Sequence, residues 1–203
     1  VKFYNSIGPN PQVVRTFAHE RGITLDLIEV DLMKGENREA PYLEKNPAGG
    51  LPCLELDNGS YLSEITVICE YLDEVSPGDP LMGSTPEERA ESRMWTRRVD
   101  LYICEPMTNG FRFSEGLGLF KNRITTLPEA AEGLKRLASE KLTWLDGLID
   151  GKQYICGDRL TLADILLSCF LRFGKTVGQP LAESNKNLIA WADRMDARDS
   201  AKA

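Results

Sequence analysis

The sequence predicts a small α/β unit followed by an all-helical one. Three observations carry that prediction. Strand-like and helix-like stretches alternate as far as about residue 76. A segment rich in Pro and Gly and free of periodicity, Glu74-Val75-Ser76-Pro77-Gly78-Asp79-Pro80, follows it. Beyond that segment the apolar patterns have helical spacing. We expect an α/β domain over residues 1–76, a linker over 77–85 and a helical domain over 86–203.

Lys2-Phe3-Tyr4-Asn5 reads as the first strand, with Tyr4 in the core. Asn10 is expected to cap a helix whose first turn holds Pro11 and whose apolar stripe is Val13, Val14, Phe17 and Ala18. Gly22 ends that helix, and Leu25 to Val30 is a second strand with Leu25, Leu27 and Ile28 turned inward. A βαβ unit this short implies a parallel pair. Residues Asp31 to Lys45 are polar and helix-permissive, with a break near Pro41. Then Leu51 to Leu56 reads as a strand, Asp57-Asn58-Gly59 as a hairpin turn, Tyr61-Leu62 as the return strand and Ser63-Glu64 as a helix start. Pro52 suits a strand beginning, since it has no N–H for the ladder.

In the helical half, Thr85-Pro86-Glu87-Glu88 opens a long helix, and Pro106 should kink or break it. Pro128 starts the next, with Leu134, Leu137, Ala138, Leu142, Leu145, Leu148 and Ile149 on its core face. Thr161 and Asp164 have the spacing of a capping box before an apolar run, which we read as structural. A last helix spans Asn187 to Asp196.

The net charge of −7 disfavours nucleic acid and acidic membrane surfaces as partners. No apolar run approaches the ~20 residues that cross a bilayer, and no signal peptide is visible, so a cytoplasmic location is expected. The five cysteines are irregularly spaced and lie among apolar residues, which suits buried reduced thiols. With a single histidine, His19, no metal site is expected.

The ordered string Asn46-Pro47-Ala48-Gly49-Gly50-Leu51-Pro52, an acidic residue at a helix start, then Ile68 to Leu72 resembles the glutathione site of the cytosolic glutathione transferases. The resemblance extends over nearly the whole chain. It implies a thioredoxin-like N-terminal domain, an all-helical C-terminal domain, a cis Pro52, glutathione as co-substrate and a homodimer. By that resemblance Leu51 pairs its main chain with the cysteinyl unit, Glu64 takes the γ-glutamyl ammonium, and the N–H of Ile65 takes the α-carboxylate. Ile65 stands where Ser is commoner, so glutathione affinity should be lower by about 1–1.5 kcal/mol. Lys34 and Asn37, or Lys45, are candidates for the glycine carboxylate.

A glutathione transferase must also hold a thiolate, and a free thiol ionises near ~8.5. The usual Tyr, Ser or Cys donor is missing: Gly8 and Pro9 align with its position. The departure resembles a fungal and bacterial subgroup with a Gly-Pro-x-Pro opening. The remaining candidates are Asn10, which could equally be a cap, Ser6, and from the helical half Tyr102, Asn109, Arg112 and Ser114. The electrophile is expected between Ile7–Pro11 and an apolar wall drawn from Tyr102, Met107, Phe111, Phe113 and Phe120. The implied reaction is attack of glutathione thiolate on an apolar electrophile. Rival readings are a non-catalytic binding module of the same fold and a glutathione-dependent peroxidase.

Overall fold

Alternation along the first strand, β1 (Lys2–Asn5), sends Phe3 and Tyr4 to opposite faces. That simple periodicity organises the first half of the chain. β1 pairs in parallel with β2 (Asp26–Glu29) and antiparallel with β3 (Cys53–Glu55), which forms a hairpin with β4 (Tyr61–Leu62). The sheet order is β2-β1-β3-β4. The computed structural model describes residues 1–203 and divides them into two units, Val1–Ser84 with Asp199–Ala203, and Thr85–Arg198.

Tyr4 stands opposite Cys53 and packs with Val30 and Tyr42 on one face of the sheet, joined by Leu51 and Tyr61. Tyr42 belongs to a short helix, α2 (Ala40–Leu43). Phe3 and Leu54, both fully buried, point to the other face, left for α1 (Pro9–Glu20) and α3 (Ile65–Val75), which pack together. Their inward residues Val14, Phe17, Ile68 and Leu72 are equally dry.

The segment after α3 lacks regular structure but is fastened to its own unit. Arg21 Nε lies 2.6 Å from Asp73 Oδ1, and both side chains are buried. The guanidinium also donates to the carbonyls of Ser76, Pro77 and Asp79, while Asp73 accepts the N–H groups of Leu81 and Met82. The last turn, Asp199–Lys202, belongs with this unit too, where the Ser200 hydroxyl donates to Glu20 of α1.

The second unit is helical: α4 (Pro86–Val99), a π turn (Asp100–Cys104), α5 (Glu105–Arg112), α6 (Leu117–Phe120), α7 (Ala131–Leu148), α8 (Leu162–Thr176) and α9 (Lys186–Asp196). Thr85 and Glu88 close a capping box at the start of α4, and Thr161 and Asp164 close one at α8. All five cysteines are buried and reduced. No helix is long and apolar enough to cross a membrane.

Some local expectations are met and others corrected. Gly8, not Asn10, caps α1, because the turn needs φ 110°, a region open to Gly. Leu27 is exposed, since β2 is an edge strand with little cover. The break expected near Pro41 is found at Glu39, which is extended between a 3₁₀ turn, Glu36–Arg38, and α2, whose first turn holds Pro41. Pro106 does coincide with an interruption of the α-helix, as expected, since α4 ends at Val99 and α5 begins only at Glu105. Its missing N–H and its ring would disrupt an α turn at Tyr102, and the wider π turn directly before it absorbs the mismatch. Pro128 starts only a 3₁₀ turn, and α7 begins at Ala131. Leu137 and Leu148 lie outside the core on the open side of α7.

Candidate active site

The start of α3 leaves its first amides without an acceptor. The first N–H groups of any helix have no partner inside it. Here the N-cap, Glu64, makes no side-chain cap bond, and the first turn holds no acidic residue. The amides of Ile65, Thr66 and Val67 are therefore left with the positive end of the helix dipole. Such a helix start binds carboxylates readily. Glu64 itself has φ 68°, the one positive φ outside glycine. A strained Glu at a helix start points to function, since the strain costs on the order of 1–3 kcal/mol. Its side chain is exposed at the same helix end as those amides.

One hairpin earlier in the chain comes the strand end. The Leu51–Pro52 bond is cis. Leu51 lies just outside β3, and neither its N–H nor its C=O is taken up by the sheet or by a turn. Its side chain packs on the Tyr4–Tyr42 cluster. The two preceding carbonyls are firmly held: Asn37 Nδ2 donates to Gly49 O at 2.7 Å, and the Tyr42 hydroxyl and Asn46 Nδ2 both donate to Gly50 O, at 2.6 and 2.8 Å. Tyr42 and Asn46 were not among the candidates from sequence. The Asn of Asn-Pro-x-Gly was the visible signal, and Tyr42 had none.

The start of α1 is different. Gly8 is exposed and Ile7 is 62% exposed. Of the first three helical residues, Pro9, Asn10 and Pro11, only Asn10 has an N–H, and it has no helical acceptor. The Asn10 side chain, at the second helical position, is half-buried. Ser6 is corrected as a thiolate donor: its hydroxyl is buried and donates to Val30 O at 2.6 Å, fastening β1 to the end of β2. Tyr4 is in the core, its hydroxyl 2.7 Å from Glu55 Oε2.

The cationic candidates separate clearly. Lys34 is exposed and pairs with Asp31 at 2.9 Å. Asn37 is buried and committed to Gly49, so it acts on the loop and not on a ligand. The Lys45 ammonium lies 5.7 and 5.6 Å from the ring centres of Tyr4 and Tyr61, held by their π faces. In the helical unit, Tyr102 packs edge-on against Trp144 with the Lys141 ammonium 5.1 Å from its ring. Arg112 donates to Asn109 Oδ1 at 3.2 Å and lies over the Phe120 ring. Ser114 donates to Gly110 O. Met107 and Phe113 are core residues and drop out of the expected apolar wall, while Phe111 packs against Phe120 and Phe173. No group of three or more His, Cys, Asp and Glu side chains is placed to hold a metal ion.

The first unit thus combines a four-stranded mixed sheet, a residue before β3 with its main chain unused and a helix start without a cap. The chain belongs to the glutathione S-transferase family. Residues 7–75 match the family's N-terminal domain and residues 110–199 its C-terminal domain. It is 31% identical over 202 residues to glutathione S-transferase 2 of Saccharomyces cerevisiae, covering 96% of this chain and 84% of that one. Its fold is similar to that of a glutathione S-transferase domain-containing protein of Marinobacter aquaeolei, with TM-score 0.91 and 31% identity over 98% of this chain and 99% of the other. It is also similar to the beta-etherase LigF of Sphingobium, with TM-score 0.83 and 26% identity over 99% and 96% of the two chains.

Proposed function

We propose that the protein binds glutathione on its first unit and directs the thiolate at an apolar electrophile. The observation that carries this reading is the strained, uncapped start of α3, together with the unused main chain of Leu51 ahead of β3. The amides of Ile65 and its neighbours receive the γ-glutamyl α-carboxylate, and Glu64 accepts from the adjacent ammonium. Leu51 offers N–H and C=O to the cysteinyl unit, strand to strand. The glycine carboxylate is left to the cations nearest the loop, Lys45 or Lys34.

No hydroxyl or thiol side chain is free at the start of α1, so thiolate stabilisation falls to the Asn10 amide with the dipole of α1, or to the Asn10 side chain. Tyr102 and Arg112 of the helical unit are the further candidates. Lowering a thiol by about two pKa units takes ~2.7 kcal/mol of preferential anion stabilisation. A charged hydrogen bond and a helix start together reach that range. Substitution, addition and ether cleavage all fit such a nucleophile. The likeness to a beta-etherase makes aryl ethers a sensible first set of test substrates.

We place the protein in the cytoplasm as a homodimer. The helical unit presents a set of exposed apolar residues, Met94, Leu101 and Tyr102 of α4 and its π turn with Leu137, Trp144 and Leu148 of α7, each more than a third exposed. A second copy is the natural cover for it, and sedimentation would show the mass. The test of function is a pH titration of the thiolate ultraviolet band with saturating glutathione. A bound thiol ionising well below free glutathione supports the transferase. Saturable binding without that shift leaves a glutathione-binding scaffold, and no binding at millimolar glutathione refutes the reading.

A further inference from the structure

We infer that Asn37, Tyr42 and Asn46 are positioning residues that fix the main chain of Leu51 in register for the bound peptide. The inference rests on the reading of this unit as a glutathione site. Three side chains from three different stretches, the 3₁₀ turn, α2 and the loop after it, converge on two consecutive carbonyls. Those carbonyls, of Gly49 and Gly50, come directly before the residue that would pair with the peptide. Gly50 O accepts twice, so both of its lone pairs are used. Asn46 also accepts the Ala48 N–H at 3.2 Å, wrapping the loop around its own side chain.

The loop needs such a brace. Gly49, at φ 63°, and Gly50 are the two most permissive residues the chain could place beside a binding strand. Left loose, they would have to be ordered when the peptide binds, and that ordering would subtract from affinity. Strand addition tolerates little error, since the N–H and C=O of Leu51 must meet their partners in line. All three braces are nearly inaccessible, Asn37 at 2% and Tyr42 and Asn46 at 4% exposure, so they cannot touch the peptide and act only through the loop. Asn37 keeps its bond although its Oδ1 is buried without a partner, a burden that a purely apolar filler would avoid. Burial pushes the Tyr42 phenol well above its usual ionisation, so it goes on donating to Gly50 across neutral and alkaline pH.

The test compares Tyr42→Phe, Asn37→Ala and Asn46→Asp with the wild type. Tyr42→Phe removes one donor and little volume. Asn46→Asp keeps the acceptor for Ala48 and loses the donor to Gly50. Calorimetry with glutathione and with S-methylglutathione gives the affinities, and the ultraviolet band gives the thiol pKa in the bound state. We expect each variant to weaken both ligands by the same factor, about three- to tenfold, with the bound thiol pKa unchanged. If Tyr42→Phe lowers the melting temperature but binds both ligands as the wild type does, the bonds serve the fold alone and the inference fails. Unchanged affinity in all three variants overturns it too, with the glutathione reading intact. A wild type that binds neither ligand overturns the reading beneath it.

Discussion

The starts of α3 and α8 meet the same physical demand in opposite ways. Each leaves amides without helical acceptors. At α8 the protein closes the start itself with a capping box: the Thr161 side chain takes the Asp164 N–H of the first turn, and the Asp164 carboxylate, with no exposure, takes the N–H groups of Thr161 and Ile155, the Thr161 hydroxyl and the Trp191 indole. At α3 it supplies none, and Glu64 is strained at φ 68° with no cap bond. A closed helix start serves as a structural joint, and an open one leaves amides available to an acceptor. The start of α1 is a third variant, in which Pro9 and Pro11 leave Asn10 as the lone amide of the first three residues. That start leaves one amide open in its first three residues, where α3 leaves three.

The closed joint gives the largest expected effect. Asp164→Ala leaves four donors without their acceptor in a dry site, and we expect a loss of about 3–5 kcal/mol in chemical denaturation. Burial, opposed by those donors, raises the Asp164 carboxyl to about 6. In the unfolded chain the group ionises near ~3.9, so between the two values the folded protein binds the extra proton. Its contribution is complete below pH ~4 and falls as pH rises through about 6, by about 3 kcal/mol in all, then stays flat. Asp164→Asn should remove that slope. A slope that survives the substitution would place the titration elsewhere.

The open start comes next. Glu64→Ala should weaken glutathione by about 1.5–3 kcal/mol, the range of a charge-assisted hydrogen bond, with the melting temperature nearly unchanged. Isothermal titration separates this from Asp164→Ala, which should lower stability and leave the affinity of the folded protein near normal. Equal effects of both variants on both quantities would dissolve the contrast between joint and site.

How far the sequence spoke depends on range. Signals written within a few residues were legible: the Asp57–Gly59 hairpin, the Thr161–Asp164 box, the Leu51-Pro52 strand end and the acidic start of α3. Signals needing a distant partner were not. Ser6 looks available until Val30, far along the chain, takes its hydroxyl. Asn37 looks like a ligand residue until the fold buries it against Gly49. Leu137 and Leu148 fit the period of α7, but the helix lacks a neighbour on that side to cover them. Tyr42 carried no signal, because its role lies in a single oxygen that only the folded loop brings within reach.

At α1 the contrast can be tested by one atom. Asn10→Ala keeps the amide and loses the side chain, and Asn10→Pro loses both in a turn that already accepts proline. If the amide holds the thiolate, the bound thiol pKa rises by about one unit in Asn10→Pro and little in Asn10→Ala. A rise of the same size in both would assign the task to the side chain. No rise in either would move it to the helical unit, with Arg112 and Tyr102 the next to change.

The smallest effect should be a gain. Ile65, half-buried at the first position of α3, offers the carboxylate only its N–H. Ile65→Ser adds a hydroxyl at the same helix end and should tighten glutathione by about 0.5–1.5 kcal/mol, roughly two- to tenfold. The same change gives up some apolar burial, so a slightly lower melting temperature should accompany the tighter binding. Tighter binding in a less stable protein is hard to obtain from a general change in the fold. It follows directly if the α-carboxylate sits on the α3 amides. Unchanged affinity would mean that those amides already satisfy it, or that the anion lies elsewhere. If a gain is seen, a Glu64→Ala, Ile65→Ser double variant assigns it: a gain that persists without Glu64 ties the hydroxyl to the carboxylate, and a gain that vanishes ties it to Glu64.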